Sequence, residues 1–268
     1  MYQLDPPGGE ILKLLDTHAH IHFHQFDKDR GDVLKRIEEK LELVINVGID
    51  IEDSKKALEV AKKSEKILCS VGIHPHNAKN VDKDHFDVLK DLVSSEKVVA
   101  IGETGLDYYR NFSPKDDQMR VFVEQIKIAK EMGKPLIIHV RDAFEDVYSI
   151  LSKEILPEKR GVIHAFSGDY TWARRFVDLG FYLGIGGPVT YPKNDTLRDA
   201  IRKIGARYLL PETDCPYLPP VPYRGKRNEP IYVEYVILKM SEVLSIEPEK
   251  LSEILFENAS NLFLEVKE

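Results

Sequence analysis

Cysteine is scarce in this chain, and that scarcity limits the class of protein. Only Cys69 and Cys215 occur among the 268 residues. A single pair of cysteines in a chain of this length gives no disulfide framework. We therefore expect a cytoplasmic protein whose fold depends on a hydrophobic core.

Long apolar runs and an excess of positive charge are also missing. No apolar run approaches the roughly 18 residues of a membrane span, and residues 1–7 lack a basic stretch followed by an apolar one. The formal net charge is −7, so no basic field surrounds the molecule to hold a polyanion. These absences disfavour secretion and membrane insertion, and they require any contact with nucleic acid to be local.

The sequence does contain a regular alternation of short aliphatic runs with amphipathic segments. Eight candidate strands are residues 11–15, 43–47, 67–71, 98–101, 136–140, 161–165, 181–185 and 208–210. Parallel strands need helical crossovers, and eight such units fit a chain of about 250 residues. The pattern therefore predicts an α/β fold, a single (β/α)8 TIM-type barrel that forms one domain over residues 1–268. A doubly wound open sheet is the structural alternative.

Two helix boundaries are marked by residues that favour caps. Asp53 or Ser54 is expected to cap a helix that continues through residues 55–63. Gly133 is expected to end a long helix over residues 116–132.

Histidines concentrate at the carboxyl ends of the candidate strands. Eight of the nine lie there, and the exception is His85. In an extended strand, residues i and i+2 point to the same side, so His18 and His20 can present both imidazoles to one point. An isolated pair of this kind is usually only hydrogen-bonded and partly buried. Because the strand ends of a barrel all open onto one face, the repeated occurrence predicts a metal site there.

Donor types suggest how two divalent ions would be shared. Six side chains at the strand ends can bind metal: His18, His20, Glu103, His139, His164 and Asp214. The first two histidines and the aspartate suit one ion, the other two histidines suit the second, and the glutamate can bridge. Ions about 3.5–4 Å apart activate a water and stabilise the attacking and leaving oxygens, which favours hydrolysis. Zinc, manganese, cobalt and magnesium all remain open.

Further side chains at the same face are candidates for substrate contact. His74 and Arg141 can donate to the nonbridging oxygens of a phosphodiester, and Asp214 can accept the proton of the attacking water. Tyr109 is a weaker candidate for substrate contact. Basic groups in loops are usually only solvated, but four residues would supply a local positive patch if they lined the mouth: Arg110, Arg224, Lys226 and Arg227.

Four other polar residues are interpreted as follows. Glu212 is either a carboxylate that supports a metal ligand or part of a structural ion pair. His22 and His24 are interpreted as loop histidines, because a barrel strand turns away within one or two residues of its end. Asp16 is interpreted as a supporting carboxylate.

Six sequence blocks, in this order, resemble the signature blocks of the TatD-type metal-dependent deoxyribonucleases, which are amidohydrolase-like metal hydrolases. The blocks are DTHAH at 16–20, GIHPH at 72–76, GETGLDY at 102–108, HVRD at 139–142, HAFSG at 164–168 and ETDCPYL at 212–218. The resemblance covers residues 12–264. It implies a (β/α)8 barrel and a divalent metal pair on the six ligand positions. It also implies hydrolysis of phosphodiester bonds in DNA, as an exonuclease on single-stranded or end-containing substrate, with no obligate protein partner.

The sequence departs from the family pattern in two places, and two other functions stay open. His22 and His24 extend the histidine run beyond the usual pair, and Cys215 stands where a small residue such as serine is common. The same site would suit another ester or amide, as in an aminoacyl-tRNA deacylase or a lactonase. A noncatalytic metal-binding scaffold is disfavoured, since a structural site saturates four positions and needs no open one.

Overall fold

The computed structural model describes residues 12–264. Within them, eight parallel strands form one sheet in sequential order. The strands are β1 (Leu15–Ala19), β2 (Leu43–Val47), β3 (Ile67–Val71), β4 (Val98–Asp107), β5 (Leu136–Arg141), β6 (Gly161–Ile163), β7 (Tyr182–Ile185) and β8 (Leu209–Pro211). The predicted single domain also includes residues 1–11 and 265–268, which lie outside the described residues, and its extent stays a prediction.

Helices follow the strands and cover the outside of the sheet. They are α1 (Arg30–Lys40), α2 (Ile51–Ala61), α3 (Lys83–Val93), α4 (Lys115–Met132), α5 (Phe144–Lys153), α6 (Tyr170–Asp178), α7 (Asp195–Ile204), α8 (Val233–Leu244) and α9 (Pro248–Phe263). Aliphatic side chains of strands and helices form one large buried cluster between the two layers. The predicted (β/α)8 barrel is confirmed.

The barrel is closed by hydrogen bonds between the end of β1 and the segment that follows β8. The Asp214 N–H donates to the carbonyl of His18 at 2.8 Å, and the His20 N–H donates to the carbonyl of Cys215 at 2.8 Å. Ala19 and Cys215 form a parallel bridge. This closure excludes the open doubly wound sheet.

The first strand lies further along the chain than predicted. The apolar run at 11–15 was the predicted strand, whereas β1 begins at Leu15 and continues through polar residues to Ala19; Ile11 lies outside the described residues. β4 likewise extends six residues beyond its predicted end at Ile101, to Asp107. In both strands the polar extension carries residues of the candidate site.

Helix boundaries were predicted with mixed success. The side chain of Asp50, and not Asp53 or Ser54, caps α2, because it accepts a hydrogen bond from the Asp53 N–H at 2.8 Å. The helix therefore begins at Ile51. Gly133 ends α4 as predicted, in the left-handed conformation with φ of 64°.

Candidate metal centre

His18 and His20 face each other at the end of β1. Their Nε2 atoms are 3.2 Å apart, and both side chains are buried. The Nδ1 of His20 lies 2.7 Å from the carbonyl oxygen of Val47. A carbonyl oxygen only accepts, so this contact holds the ring proton on Nδ1 and leaves the Nε2 lone pair facing the site.

Two carboxylates lie against these rings, that of Glu103 buried and that of Asp214 partly buried. Glu103 Oε2 is 3.4 Å from His18 Nε2, and Asp214 Oδ1 is 3.5 Å from His20 Nε2. Burial alone would raise the pKa of each carboxyl. The surrounding histidines outweigh it and lower both, with the pKa of Glu103 held well below its usual range. Both groups therefore bring negative charge into the centre at neutral pH.

His164 completes this side of the centre from the end of β6. Its ring stacks on that of His18 with centroids 3.5 Å apart, and its Nε2 lies 3.9 Å from Asp214 Oδ1. On the other side of the ring, Nδ1 forms an ion pair with Glu212 Oε1 at 3.0 Å. Glu212 is fully buried, and Gly184 makes room for it, because a Cβ there would lie 2.3 Å from Glu212 Oε2.

His139 lies between two carboxylates on β4. Its Nδ1 is 2.8 Å from Glu103 Oε1, and its Nε2 is 3.3 Å from Asp107 Oδ2. Although burial favours the neutral ring, these two partners raise the pKa of His139. The strands approach closely here because Gly105 lies opposite His139 with φ of 128°, and a Cβ would lie 2.1 Å from the His139 carbonyl oxygen.

Asp107 is a site residue that the sequence analysis missed. It is fully buried and accepts hydrogen bonds from the N–H groups of Tyr109 and Arg110, at 2.9 and 2.8 Å. It also contacts His76 Nε2 at 2.8 Å. The signal was its spacing, because residues i and i+4 of one strand share a face, as Glu103 and Asp107 do.

His74 contacts Glu103, but its hydrogen bonds argue against metal binding. Its Nδ1 accepts the His76 N–H at 3.1 Å, so a neutral ring carries its proton on Nε2. Burial lowers the pKa of His74 to about 4, which keeps the ring neutral at pH 7. The Nε2–H group lies 3.3 Å from Glu103 Oε1 and is a hydrogen-bond donor to negative charge.

The donor atoms meet in three overlapping groups, each within 4.8 Å: His18, His164 and Asp214; His18, His20 and Glu103; and His74, Glu103 and His139. The predicted pairing of His139 with His164 is not among them, and their rings are 6.2 Å apart. Clustered imidazoles and ionised carboxylates, nearly all buried, suit a divalent cation, which compensates the negative charge. The residues present therefore fit the implied metal.

The predicted phosphate-orienting arginine lies at the edge of this centre. Arg141 ends β5, two residues after His139, and is exposed. Its guanidinium carbon is 3.9 Å from the ring centroid of Tyr109. Among residues 12–264 it has no carboxylate partner within 4.0 Å, so its N–H groups are available to an anion.

The predicted patch of basic residues is only partly available. Arg227 is engaged in two contacts of 2.6 Å with Asp29 and is excluded from the patch. Arg224 and Lys226 are exposed and lie over tyrosine rings, with Arg224 4.3 Å from the centroid of Tyr191.

The remaining predicted residues lie outside the donor groups. His22 is buried and pairs with Asp53 at 2.8 Å, while His24 is exposed; both follow the end of β1. Asp16 accepts hydrogen bonds from the N–H and hydroxyl groups of Thr213, at 2.8 and 2.5 Å. Burial raises the pKa of Asp16 to about 8. Asp16 thus supports the junction of β1 with the segment after β8.

Comparison with known proteins identifies the family. The family described as TatD related DNase matches residues 15–264. The chain belongs to the TatD family. The resemblance inferred from the six sequence blocks is thereby confirmed.

Relatives within the TatD family match over nearly their whole length. The chain is 43% identical to the uncharacterized metal-dependent hydrolase YabD of Bacillus subtilis, over 93% of this chain and 98% of that protein. It is 33% identical to a protein of Cronobacter sakazakii named 3'-5' ssDNA/RNA exonuclease TatD, over 94% and 98%. The crystal structure of YJJV, a TatD homologue of Escherichia coli, superimposes with a TM-score of 0.89 at 30% identity, over 95% and 99%.

No helix within residues 12–264 is both long enough and apolar enough to cross a membrane.

Proposed function

We propose that this protein is a divalent-metal-dependent hydrolase that cleaves phosphodiester bonds in DNA, with single strands or strand ends as substrate. The observation that carries the proposal is the convergence of imidazoles and ionised carboxylates at the carboxyl ends of the barrel strands. An unpaired arginine beside this centre favours a phosphodiester over other esters and amides. The names of the relatives, one of them an exonuclease, support the same reaction.

We assign the metal ligands by the donor atoms that each residue offers. His18, His20 and Asp214 would hold one ion. His139 and His164 do not share a compact donor group here, but ring centroids 6.2 Å apart still allow both to reach one ion, and we propose that they would hold the second. Glu103 would be able to contact both ions through its two oxygens. When bound, such ions lower the pKa of water and stabilise charge on phosphoryl oxygens.

The protein's own residues then have distinct roles. Asp214, ionised at neutral pH, accepts the proton of the attacking water as the water oxygen bonds to phosphorus. The bond from phosphorus to the leaving nucleoside oxygen breaks, and that oxygen takes up a proton from solvent. Arg141 donates hydrogen bonds to the nonbridging oxygens, and the Nε2–H group of His74, which lies 3.3 Å from Glu103 Oε1, would share its hydrogen with one of them.

Removal of metal tests this function directly. We expect a chelator to abolish the breakdown of single-stranded DNA, and excess Mn²⁺ or Zn²⁺ to restore it. Metal analysis of the purified protein and mapping of products from 3′- and 5′-labelled strands identify the ion and the direction of cleavage. Circular dichroism before and after chelation controls for unfolding. Undiminished activity in fully metal-free protein would contradict the proposal.

A further inference from the structure

Exposed aromatic rings lie mainly around the candidate metal centre. Four aromatic side chains among residues 12–264 are highly exposed: Tyr109 at 59%, Phe112 at 64%, Tyr170 at 38% and Tyr217 at 48%. All except Tyr170 lie in the loops that follow β4 and β8. Exposure of large apolar rings costs free energy unless a partner covers them, so rings that gather at an active face indicate a ligand with flat apolar surfaces.

Tyr109 lies on the side of the centre formed by β4 and β5. Its N–H donates to Asp107 Oδ1 at 2.9 Å, which fixes the start of the loop to the carboxylate that contacts His139. The guanidinium of Arg141 lies over the Tyr109 ring. A phosphate contact and an aromatic surface are therefore adjacent here.

Tyr217 lies on the other side, beside β1 and β8. Its N–H donates to the carbonyl of Asp214 at 2.9 Å. Its ring contacts Phe23 edge to face with centroids 6.3 Å apart, and Phe23 stacks on His20 at 4.5 Å. The exposed ring of Tyr217 thus contacts Phe23, and Phe23 in turn covers the candidate ligand His20.

The loops that carry these two tyrosines lie on opposite sides of the barrel mouth. β4 and β8 are four strands apart in a closed ring of eight, so their ends lie on opposite sides of the barrel mouth. The candidate metal centre lies between them. A chain with aromatic bases on both sides of its central phosphate would place one base near each ring.

We propose that Tyr109 and Tyr217 are two base-stacking surfaces that hold the nucleotides on either side of the scissile phosphate. This inference rests on the proposed function and specifies its substrate. Each base must be unpaired to stack on protein, so the strand is single where it is cut. Stacking accepts any base, so recognition does not depend on sequence.

Ring removal and base removal together test the proposal. The metal-loaded variants are Tyr109→Leu and Tyr217→Leu, with Tyr109→Phe and Tyr217→Phe retaining the rings. The substrate is a single strand of about 12 nucleotides that carries one abasic residue at each position in turn, with cleavage rates at every linkage read from labelled products. Tyr170→Leu is the control, because Tyr170 begins α6 in the outer layer and its ring contacts Lys203 of α7.

The expected result is a specific pairing of ring and base. Each Leu variant should have a kcat/KM about tenfold lower on the intact strand, because one stacking contact with a base is lost. Each Phe variant should keep the kcat/KM of the wild type. In the wild type, an abasic residue on one side of the cut should lower kcat/KM by the same factor. In the Leu variant that lacks the ring for that base, the abasic residue should cause no further loss. Tyr170→Leu should behave as the wild type.

Two other outcomes would overturn the inference in different ways. The first is that the losses in kcat/KM caused by Leu substitution and by base removal multiply on both sides of the cut. The rings then do not stack on those bases, and Tyr109 acts only by supporting Arg141. Absence of any phosphodiester cleavage by the metal-loaded wild type would contradict the proposed function together with this inference.

Discussion

Glu212 is a fully buried carboxylate beside His164, a proposed metal ligand. Burial alone would keep the His164 ring neutral, but the charges of Glu212, Glu103 and Asp214 raise the pKa of His164 to about 10. The Glu212 carboxylate lies on the Nδ1 side of the ring, so the proton is favoured on Nδ1 and the Nε2 atom is directed to the centre. We propose on this ground that Glu212 supports a metal ligand; the alternative of a structural ion pair is decided by substitution.

We expect Glu212→Gln to weaken divalent metal binding by roughly 10- to 100-fold, because the neutral amide no longer orients His164 as an anion does. Metal affinity is measured by competition with a chromogenic chelator. Glu145→Gln, on the surface of α5, is the matched control. Equal affinity of Glu212→Gln and wild type would assign Glu212 a purely structural role.

Arg141, the proposed phosphate donor, offers a test of phosphodiester specificity against other esters. We expect Arg141→Ala to lower kcat/KM for a small phosphodiester by roughly 10- to 100-fold, as the loss of a charged hydrogen bond implies, with a smaller loss for a carboxylic ester. Parallel assays with methyl p-nitrophenyl phosphate and p-nitrophenyl acetate measure this.

The matched control for Arg141 is Arg207→Ala. Arg207 is also exposed and lies over a tyrosine, but it precedes β8 at the opposite end of the barrel. Equal losses on both substrates in Arg141→Ala would remove the argument for phosphate specificity and favour the other ester or amide substrates.

At the level of elements, the long loop after β8 is tied to the start of α1. Arg227 contacts both carboxylate oxygens of Asp29, and Arg36 contacts Glu229 at 2.6 Å. The sequence analysis grouped Arg227 with solvated basic residues, because ion-pair partners nearly two hundred residues away cannot be read from local sequence. These pairs hold the loop that carries Tyr217.

We expect Arg227→Gln to lower the free energy of unfolding by about 1 kcal/mol at pH 7, the value of a partly exposed bidentate pair. The guanidinium lowers the pKa of Asp29. The stabilisation is therefore full above the unfolded-chain pKa of 3.8 and disappears as the pH falls through the lower pKa of the folded state.

Denaturant unfolding at several pH values measures the effect of Arg227→Gln. The control is Arg175→Gln, which breaks an exposed pair between α5 and α6 with Glu145. A difference between Arg227→Gln and wild type that does not shrink in acid would show that the loop is held by packing and not by this pair.

At the scale of the whole molecule, strand number and helix order were predictable from the sequence, as was the gathering of the six candidate ligand residues at one end of the barrel, while their binding of metal stays a prediction. Aliphatic runs mark where each strand crosses the core, and histidines or carboxylates mark the ends of six strands: β1, β3, β4, β5, β6 and β8. The boundaries of β1 and β4 were not predictable, because their last residues are polar. Strand hydrogen bonding continues through Asp16 and Asp107, but the hydrophobic pattern ends before them, because these positions carry polar residues of the candidate site.

The hydrogen-bond partners of individual site residues also could not be predicted from the sequence. The role of His74 depends on which ring nitrogen accepts the His76 N–H, and the partner of His139 depends on the extension of β4 to Asp107. Both are consequences of hydrogen-bond direction, which residue type and spacing do not specify.

The hydrogen bonds that close the barrel also determine when the site can exist during synthesis. His18 and His20 emerge early from the ribosome, but Asp214 and Cys215, which bind to them, are made nearly two hundred residues later. A growing chain therefore carries its first two histidines for most of its translation without the aspartate that faces them. The candidate metal centre can therefore assemble only once the last strand of the barrel has been made.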